Sequence, residues 1–272
     1  MKAVYLLHNK PDHFAKADWL AAHYPIDSFV VIDRTRPWWG RYFRARARRI
    51  GVVKLADQVA FRLYWILFKS LFDHLKIRRL LRPLRQNLPK DYKRPPVYRV
   101  KDINSQEGES LLRKLAPDVC IITIHPILEE RIFSIPRLGM LAFHPGIVPE
   151  YRGPHSAFWA TLKNEFWGIG WSLIKIDKGI DTGEIVMQGS TEDIDPLHQS
   201  HIYLQHQSHI NGLPKVVDVL RKLGIGEYPR VSTAGRMNKN YTHPGITDYV
   251  KLRNHIKRLR SDRRHIRREP IC

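Results

Sequence analysis

The chain has 272 residues, with 46 Lys and Arg against 26 Asp and Glu, a formal net charge of +20. A hydrophobic fraction of 43% supports a sizeable core, yet no apolar run approaches the roughly 20 residues that a bilayer span requires, so no transmembrane segment is expected. The two cysteines, Cys120 and Cys272, argue against a disulfide framework or a cysteine metal site and fit a reducing, cytoplasmic setting. So large a basic surplus favours anionic partners: nucleic acid, an anionic surface, or a phosphorylated or carboxylated small molecule.

The opening Met1-Lys2-Ala3-Val4-Tyr5-Leu6-Leu7 lacks the long apolar region and small-residue cleavage site of a secretory signal, so a buried strand is expected at Ala3–Leu7. A polar, helix-compatible stretch leads to a second strand at Ser28–Asp33, whose Phe29-Val30-Val31-Ile32 suits a buried parallel sheet. The composition then changes. From Arg34 to Arg49, arginines alternate with Trp38, Trp39, Tyr42 and Phe43, a pattern that suits either nucleic-acid contact or a solvated helix face. Val52 to Leu81 reads as one long helix. Its Val59–Phe72 stretch is apolar enough to touch a membrane surface, but Arg62 and Lys69 interrupt it and core packing is expected. Pro83, Pro89, Pro95 and Pro96 predict an extended linker that closes a basic, helical, insertion-like region over 34–101.

Beyond it the pattern is more regular. A helix is expected at Ser105–Leu115, with Pro117 as its stop, and Asp118–Ile124 carries the strongest buried-strand signal in the chain. A strand at Gly139–Phe143, a helix at Ser156–Lys163, and strands at Gly170–Ile176 and Glu184–Met187 follow. This alternation predicts an α/β fold over 1–195, a mostly parallel open sheet with flanking helices. Residues 196–272 read as a small C-terminal extension: a helical segment at His198–Leu223, then a basic run from Lys251 to Arg268 that is either a helix against an acidic surface or a partly disordered arm. The tetrads His198-Gln199-Ser200-His201 and His206-Gln207-Ser208-His209 offer pairs at i,i+3. No carboxylate or cysteine completes a metal set, so no metal is expected and a polar helix surface is the simpler reading.

Two signals carry chemistry. A strand delivers His144, after which Pro145, Gly146, Pro149 and Gly153 force an irregular loop. A histidine held this way can act as a general acid or base. Asp181 sits in an Asp-Thr-Gly turn between two later strands, suited to reaching a nearby imidazole and fixing its tautomer. Alone, each is ordinary: an isolated His is more often structural, and Asp-Thr-Gly is usually only a turn.

The surroundings add weight. Leu115-Ala116-Pro117-Asp118, Pro136-Arg137-Leu138-Gly139, His144-Pro145-Gly146, Pro149-Glu150-Tyr151-Arg152-Gly153 and Asp177 through Gly183 together resemble the catalytic domain of the 10-formyltetrahydrofolate-dependent formyltransferases. Tyr241-Thr242-His243-Pro244-Gly245 resembles a segment that follows the core in some members. The resemblance implies a Rossmann-like formyltransferase fold and 10-formyltetrahydrofolate as formyl donor. It implies that His144 assists proton transfer as an amine attacks the formyl carbon, with Asp181 supporting it. It also implies that the loop of His125, Ile127 and Leu128 faces the pterin ring, that Asp177, Ile180 and Thr182 line the other side, and that Arg152 and Gly153 lie toward the acceptor.

Two departures stand out. The family's asparagine two residues before the histidine, a donor to the formyl oxygen, is Ala142 here. His8-Asn9-Lys10-Pro11 replaces the expected glycine-containing turn, which alters the acceptor side and brings in Asn9. Asn9, Thr123 and His125 are the groups that could replace the missing amide. The expected acceptor is a primary amine on an anionic small molecule, an amino-sugar nucleotide first. Methionyl-tRNA, a catalytically weakened binding protein, and an RNA- or membrane-associated adaptor that uses the basic segments remain the alternatives.

Overall fold

The computed structural model describes residues 1–33, 39–123 and 127–266, with 39–43, 45 and 262–266 described by backbone only. Among these, seven strands form one sheet in the order β3-β2-β1-β4-β5-β6-β7. They are β1 (Ala3–His8), β2 (Ser28–Ile32), β3 (Val97–Val100), β4 (Val119–Ile122), β5 (Gly139–His144), β6 (Gly170–Lys175) and β7 (Ile185–Ser190). The first five are parallel, and the direction reverses at β5, where β6 and then β7 pair antiparallel. The β-branched run of β2 and the Val119-Cys120-Ile121-Ile122 of β4 are buried throughout, as a sheet covered on both faces demands.

Helices cover the two faces. α1 (Pro11–His23) follows β1, with Pro11 at its first turn, and α5 (Gln106–Leu115) leads into β4. The Ser105 hydroxyl caps α5 by accepting from Gly108 N–H at 3.1 Å, Glu107 and Glu109 meet the positive end of its dipole, and Ala116 ends it in a left-handed conformation. α6 (Glu130–Phe133) and α7 (Ser156–Leu162) flank β5 in the chain. α8 (His201–Gly224) packs on β6 and β7 and places Leu213, Val216 and Leu220 in the same apolar cluster as Tyr5, Leu7 and Phe29. The second cluster, on the other face, gathers Val4, Leu6, Cys120, Ile122 and Met140 around Leu112 of α5.

The region between β2 and β3 differs from its sequence reading. The single helix expected over Val52–Leu81 is two, α3 (Val52–Phe68) and α4 (Ser70–Gln86), joined through Lys69 and preceded by α2 (Trp39–Ile50). Pro83 lies inside α4 instead of ending it; its missing N–H removes one bond, to the Arg79 carbonyl, and the helix runs on to Gln86. The expected linker ends in a strand, β3, whose Val97 and Tyr98 are exposed as the sheet edge. The core packing expected of Val59–Phe72 holds for buried Phe61 and in part for half-buried Tyr64 and Trp65, which pack on Tyr249 and, for Trp65, His201, whereas Leu63, Ile66, Leu67, Phe68, Leu71 and Phe72 are all exposed. The basic tail is helical in its described part, α9 (Ile246–Ile266), which packs against α3 and α7. Its last two expected residues, Arg267 and Arg268, lie outside the described residues, as do Arg34 and Arg36.

Gly212 sets how closely α8 sits under β5. A Cβ there would lie 2.6 Å from Trp171 and 2.7 Å from the Phe143 ring, one residue before His144. Gly212→Val is therefore expected to lower unfolding stability in urea by about 1–3 kcal/mol through overpacking. An unchanged urea midpoint would show that this contact is not tight.

Candidate active site

His144 ends β5 and is almost completely buried. Its Nε2 lies 3.1 Å from the Tyr151 carbonyl, and its Nδ1 lies 3.7 Å from Asp181 Oδ2. A carbonyl oxygen only accepts, so Nε2 carries the hydrogen and Nδ1 is the nitrogen that faces the carboxylate. Asp181 is held in a left-handed conformation, and its Oδ2 accepts from Gly153 N–H at 2.9 Å. Gly153 has φ +83°, and a Cβ there would fall 2.3 Å from the Tyr241 carbonyl, so both conformation and space call for glycine.

The reversal of direction at β5 explains how residues 37 apart in sequence meet. β6 runs back down the sheet, with Ile176 N–H donating to the Met140 carbonyl, and the loop 176–183 then returns along the face of β5 toward His144. Asp177 Oδ1 ties this loop by accepting from Gly179 N–H at 2.9 Å and from the Thr182 hydroxyl at 2.7 Å. Beneath it, Ile122, Ala142 and Ile174 lie in register across three strands and form an apolar floor. The enclosed cleft is about 380 Å³, and Ile127, Leu128, Asp177, Ile180, Asp181, Thr182 and Gly153 all line it. His125 lies outside the described residues. Ala142 and His144 project to the same face of β5, two residues apart.

A second cleft, of about 490 Å³, is lined by His144 itself and shares Gly153 and Pro154 with the first. Lys10, Lys16 and Lys101 line it, with Asp12 and Asp102 as the acidic members. Thr123 and Gly153 belong to it; Asn9 is exposed and only its neighbours His8 and Lys10 line it. Arg152 is turned away, into a separate cleft with Arg230 and Arg236, where its guanidinium donates to the Ile180 carbonyl at 3.4 Å. Of the three acceptor-side expectations, only Gly153 lines the basic cleft.

Sequence reasoning passed over the groups that give this cleft its electrostatics. Lys16 of α1 is buried, and its Nζ donates to His209 Nδ1 at 3.4 Å, while His209 Nε2 donates to the Phe143 carbonyl at 3.0 Å. Burial pushes the Lys16 amine down to about 8. Burial, reinforced by Lys16, pushes His13 and His206 each down to about 3. Against burial, which would raise it, Lys16, His13 and His206 hold the Asp12 carboxyl below its usual range. The second His tetrad is thus part of a buried polar junction between α1 and α8, and His201 of the first is buried as well, against Phe61, Trp65 and Phe158. The spacing of Asp12, His13 and Lys16 on one helix was the available signal, but its partner lies 193 residues away. Among the described residues, no group of three or more His, Cys, Asp or Glu is arranged to hold a metal.

A family profile described as "Formyl transferase" matches residues 72–217, and the chain belongs to that family. It is 33% identical over 168 residues to methionyl-tRNA formyltransferase of Thermotoga maritima, covering 60% of this chain and 52% of that protein. It is 30% identical over 134 residues to the enzyme of the same name from Kosmotoga olearia, covering 48% and 42%. The chain thus spans about half the length of these relatives. In fold it is similar to a sugar N-formyltransferase from a Shewanella species, with a TM-score of 0.53 at 11% identity over 93% of this chain and 87% of that one. It is also similar to glycinamide ribonucleotide transformylase 1 from Symbiobacterium toebii, with a TM-score of 0.51 at 11% identity over 89% and 95%.

The buried imidazoles make stability depend on acid. His13, His201 and His206 titrate near 3 when folded, against a reference of 6.5, so the unfolded chain binds more protons between those values. Their contribution is complete above pH 6.5 and is lost as pH falls toward 3. Thermal midpoints are expected to drop steeply over that window, and less steeply in His206→Gln. A flat profile between pH 6.5 and 4 would contradict the assignment.

Proposed function

We propose that the chain transfers a formyl group from 10-formyltetrahydrofolate to a primary amine carried on an anionic small molecule. The observation that carries this reading is that His144 lines the basic cleft and Asp181, 3.7 Å from it, lines the apolar one, with Gly153 and Pro154 common to both. Transfer between two substrates needs each brought to one point from its own side. The cleft floored by Ile122, Ala142 and Ile174 suits a flat pterin ring, with Ile127 and Leu128 at its edge and the loop of Asp177, Ile180 and Thr182 over it. The basic cleft suits the acceptor, whose phosphates or carboxylates meet Lys10, Lys16 and Lys101. An amino-sugar nucleotide combines an amine with a diphosphate and is the first acceptor class. Methionyl-tRNA is the second reading, favoured by the names of the relatives at 30–33% identity.

The residues divide the work. As the amine attacks the formyl carbon, His144 Nδ1 takes its proton and returns it to N10 of tetrahydrofolate when the carbon–N10 bond breaks, while Nε2 stays anchored on the Tyr151 carbonyl. The Asp181 carboxylate, 3.7 Å away, stabilises the imidazolium that results, and Gly153 N–H fixes that carboxylate in place. Ala142 supplies no hydrogen bond to the formyl oxygen, a loss of about 3–4 kcal/mol of transition-state stabilisation, so turnover is expected to be slow.

The test mixes the protein with 10-formyltetrahydrofolate and a panel of amines, including an amino-sugar nucleotide and methionyl-tRNA, and follows tetrahydrofolate release. His144→Ala is expected to cost roughly 10²- to 10⁴-fold, and Ala142→Asn to raise the rate by roughly 10²- to 10³-fold. No turnover by wild type or Ala142→Asn on any amine would sink the reading. Equal turnover by wild type and His144→Ala would sink the site.

A further inference from the structure

The helices α3 and α4 carry apolar residues on two opposite sides. Helical hydrogen bonding passes through the Lys69 junction, with Lys69 N–H donating to the Trp65 carbonyl and Asp73 N–H to the Lys69 carbonyl, each at 3.0 Å. One side faces the body of the protein and buries Phe61, Leu81 and Leu84. The other carries Leu63, Leu67, Leu71 and Leu75 at intervals of four, with Phe72 beside them, and these five are 48–71% exposed. Single exposed leucines are ordinary. Five large apolar residues along about 18 Å of helix are a contact surface that no described residue covers.

Charge decides what covers it. Between Val52 and Gln86 there are eight cations and two acids. Asp73 is buried, and Asp57 is occupied by the backbone N–H and hydroxyl of Thr247, so neither contributes to the outer side. Lys76, Arg78, Arg79 and Arg82, all exposed on α4, therefore rim the apolar stripe, and neither acid of α3 and α4 lies on it. A second copy docked about a two-fold axis would set this rim against itself, cation on cation. Nucleic acid would answer the cations but leave the leucines with no flat surface to stack on. An anionic bilayer surface answers both, with acyl chains around the Leu and Phe side chains and phosphates against the Lys and Arg.

We infer that the outer face of α3 and α4 docks this protein on the surface of an anionic lipid bilayer, lying in the headgroup layer. No helix among the described residues is long and apolar enough to cross a membrane, which fits a surface mode. The contact is independent of the chemistry at His144.

The experiment is flotation of the full chain with phosphatidylcholine vesicles, with and without phosphatidylglycerol. Wild type is expected to partition at least roughly tenfold more strongly onto the anionic vesicles. The combined Leu67→Ser, Leu71→Ser, Phe72→Ser variant should lose roughly tenfold of that partition, with an unchanged thermal midpoint because all three side chains are exposed. The single Leu67→Gln variant gives the same readout with less risk to the fold. Equal binding to both vesicle types overturns the inference, as does a triple variant that floats like wild type. A wild-type dimer in sedimentation that the triple variant dissolves, without flotation, assigns the face to a second copy instead. Salt-sensitive RNA binding untouched by the triple variant, again without flotation, assigns the basic surface to RNA and also overturns it.

Discussion

The approach of Asp181 to His144 is the contact on which the site depends. It joins the end of a central strand to the tip of a loop that begins near that strand's other end, and it exists because the sheet turns antiparallel at β5. Were β6 parallel, its following loop would leave from the edge of the sheet and not pass over Ala142. The two anchors on either side, the Tyr151 carbonyl and the Gly153 N–H, both come from the irregular segment after β5. One loop therefore fixes the histidine and the carboxylate together.

That arrangement also divides space. Asp181 lines the cleft with an apolar floor and a hydrogen-bonded loop above it; His144 lines the one bounded by the polar junction of α1 and α8 organised around buried Lys16. Lys16 is tied through His209 to the Phe143 carbonyl, so the charge in this cleft is mechanically linked to the strand that carries His144. The imidazoles around Lys16 are held neutral by burial, which leaves lysines as the cationic members of that cleft near neutral pH.

The sequence disclosed the centre of this fold better than its margins. β4 and β5 were legible because short apolar runs bounded by Pro and Gly have few alternatives, and the Ser105 cap of α5 was a local signal. The pairing of His144 with Asp181 was legible only through the resemblance, since nothing local links residues 37 apart. The edge strand β3 was hidden because it follows Pro95-Pro96 and half of it faces solvent. The role of His206 and His209 was hidden for a different reason: a histidine pair on a helix reads as polar surface until the opposing Lys16 is known. The apolar residues of α3 and α4 misled in the other direction, because hydropathy cannot say which side of a helix has found a partner.

The central claim is that the two clefts have separate tasks, with the formyl donor over Ala142 and the acceptor beside Lys16. Calorimetric titration with 5-formyltetrahydrofolate, a stable analogue of the donor, tests this on wild type, Ala142→Leu and Lys16→Met. Filling the apolar floor with leucine should weaken binding by at least roughly tenfold, on the scale expected when a ligand must displace a buried side chain, while Lys16→Met leaves it unchanged. Undiminished binding by Ala142→Leu, or a loss confined to Lys16→Met, would contradict the account.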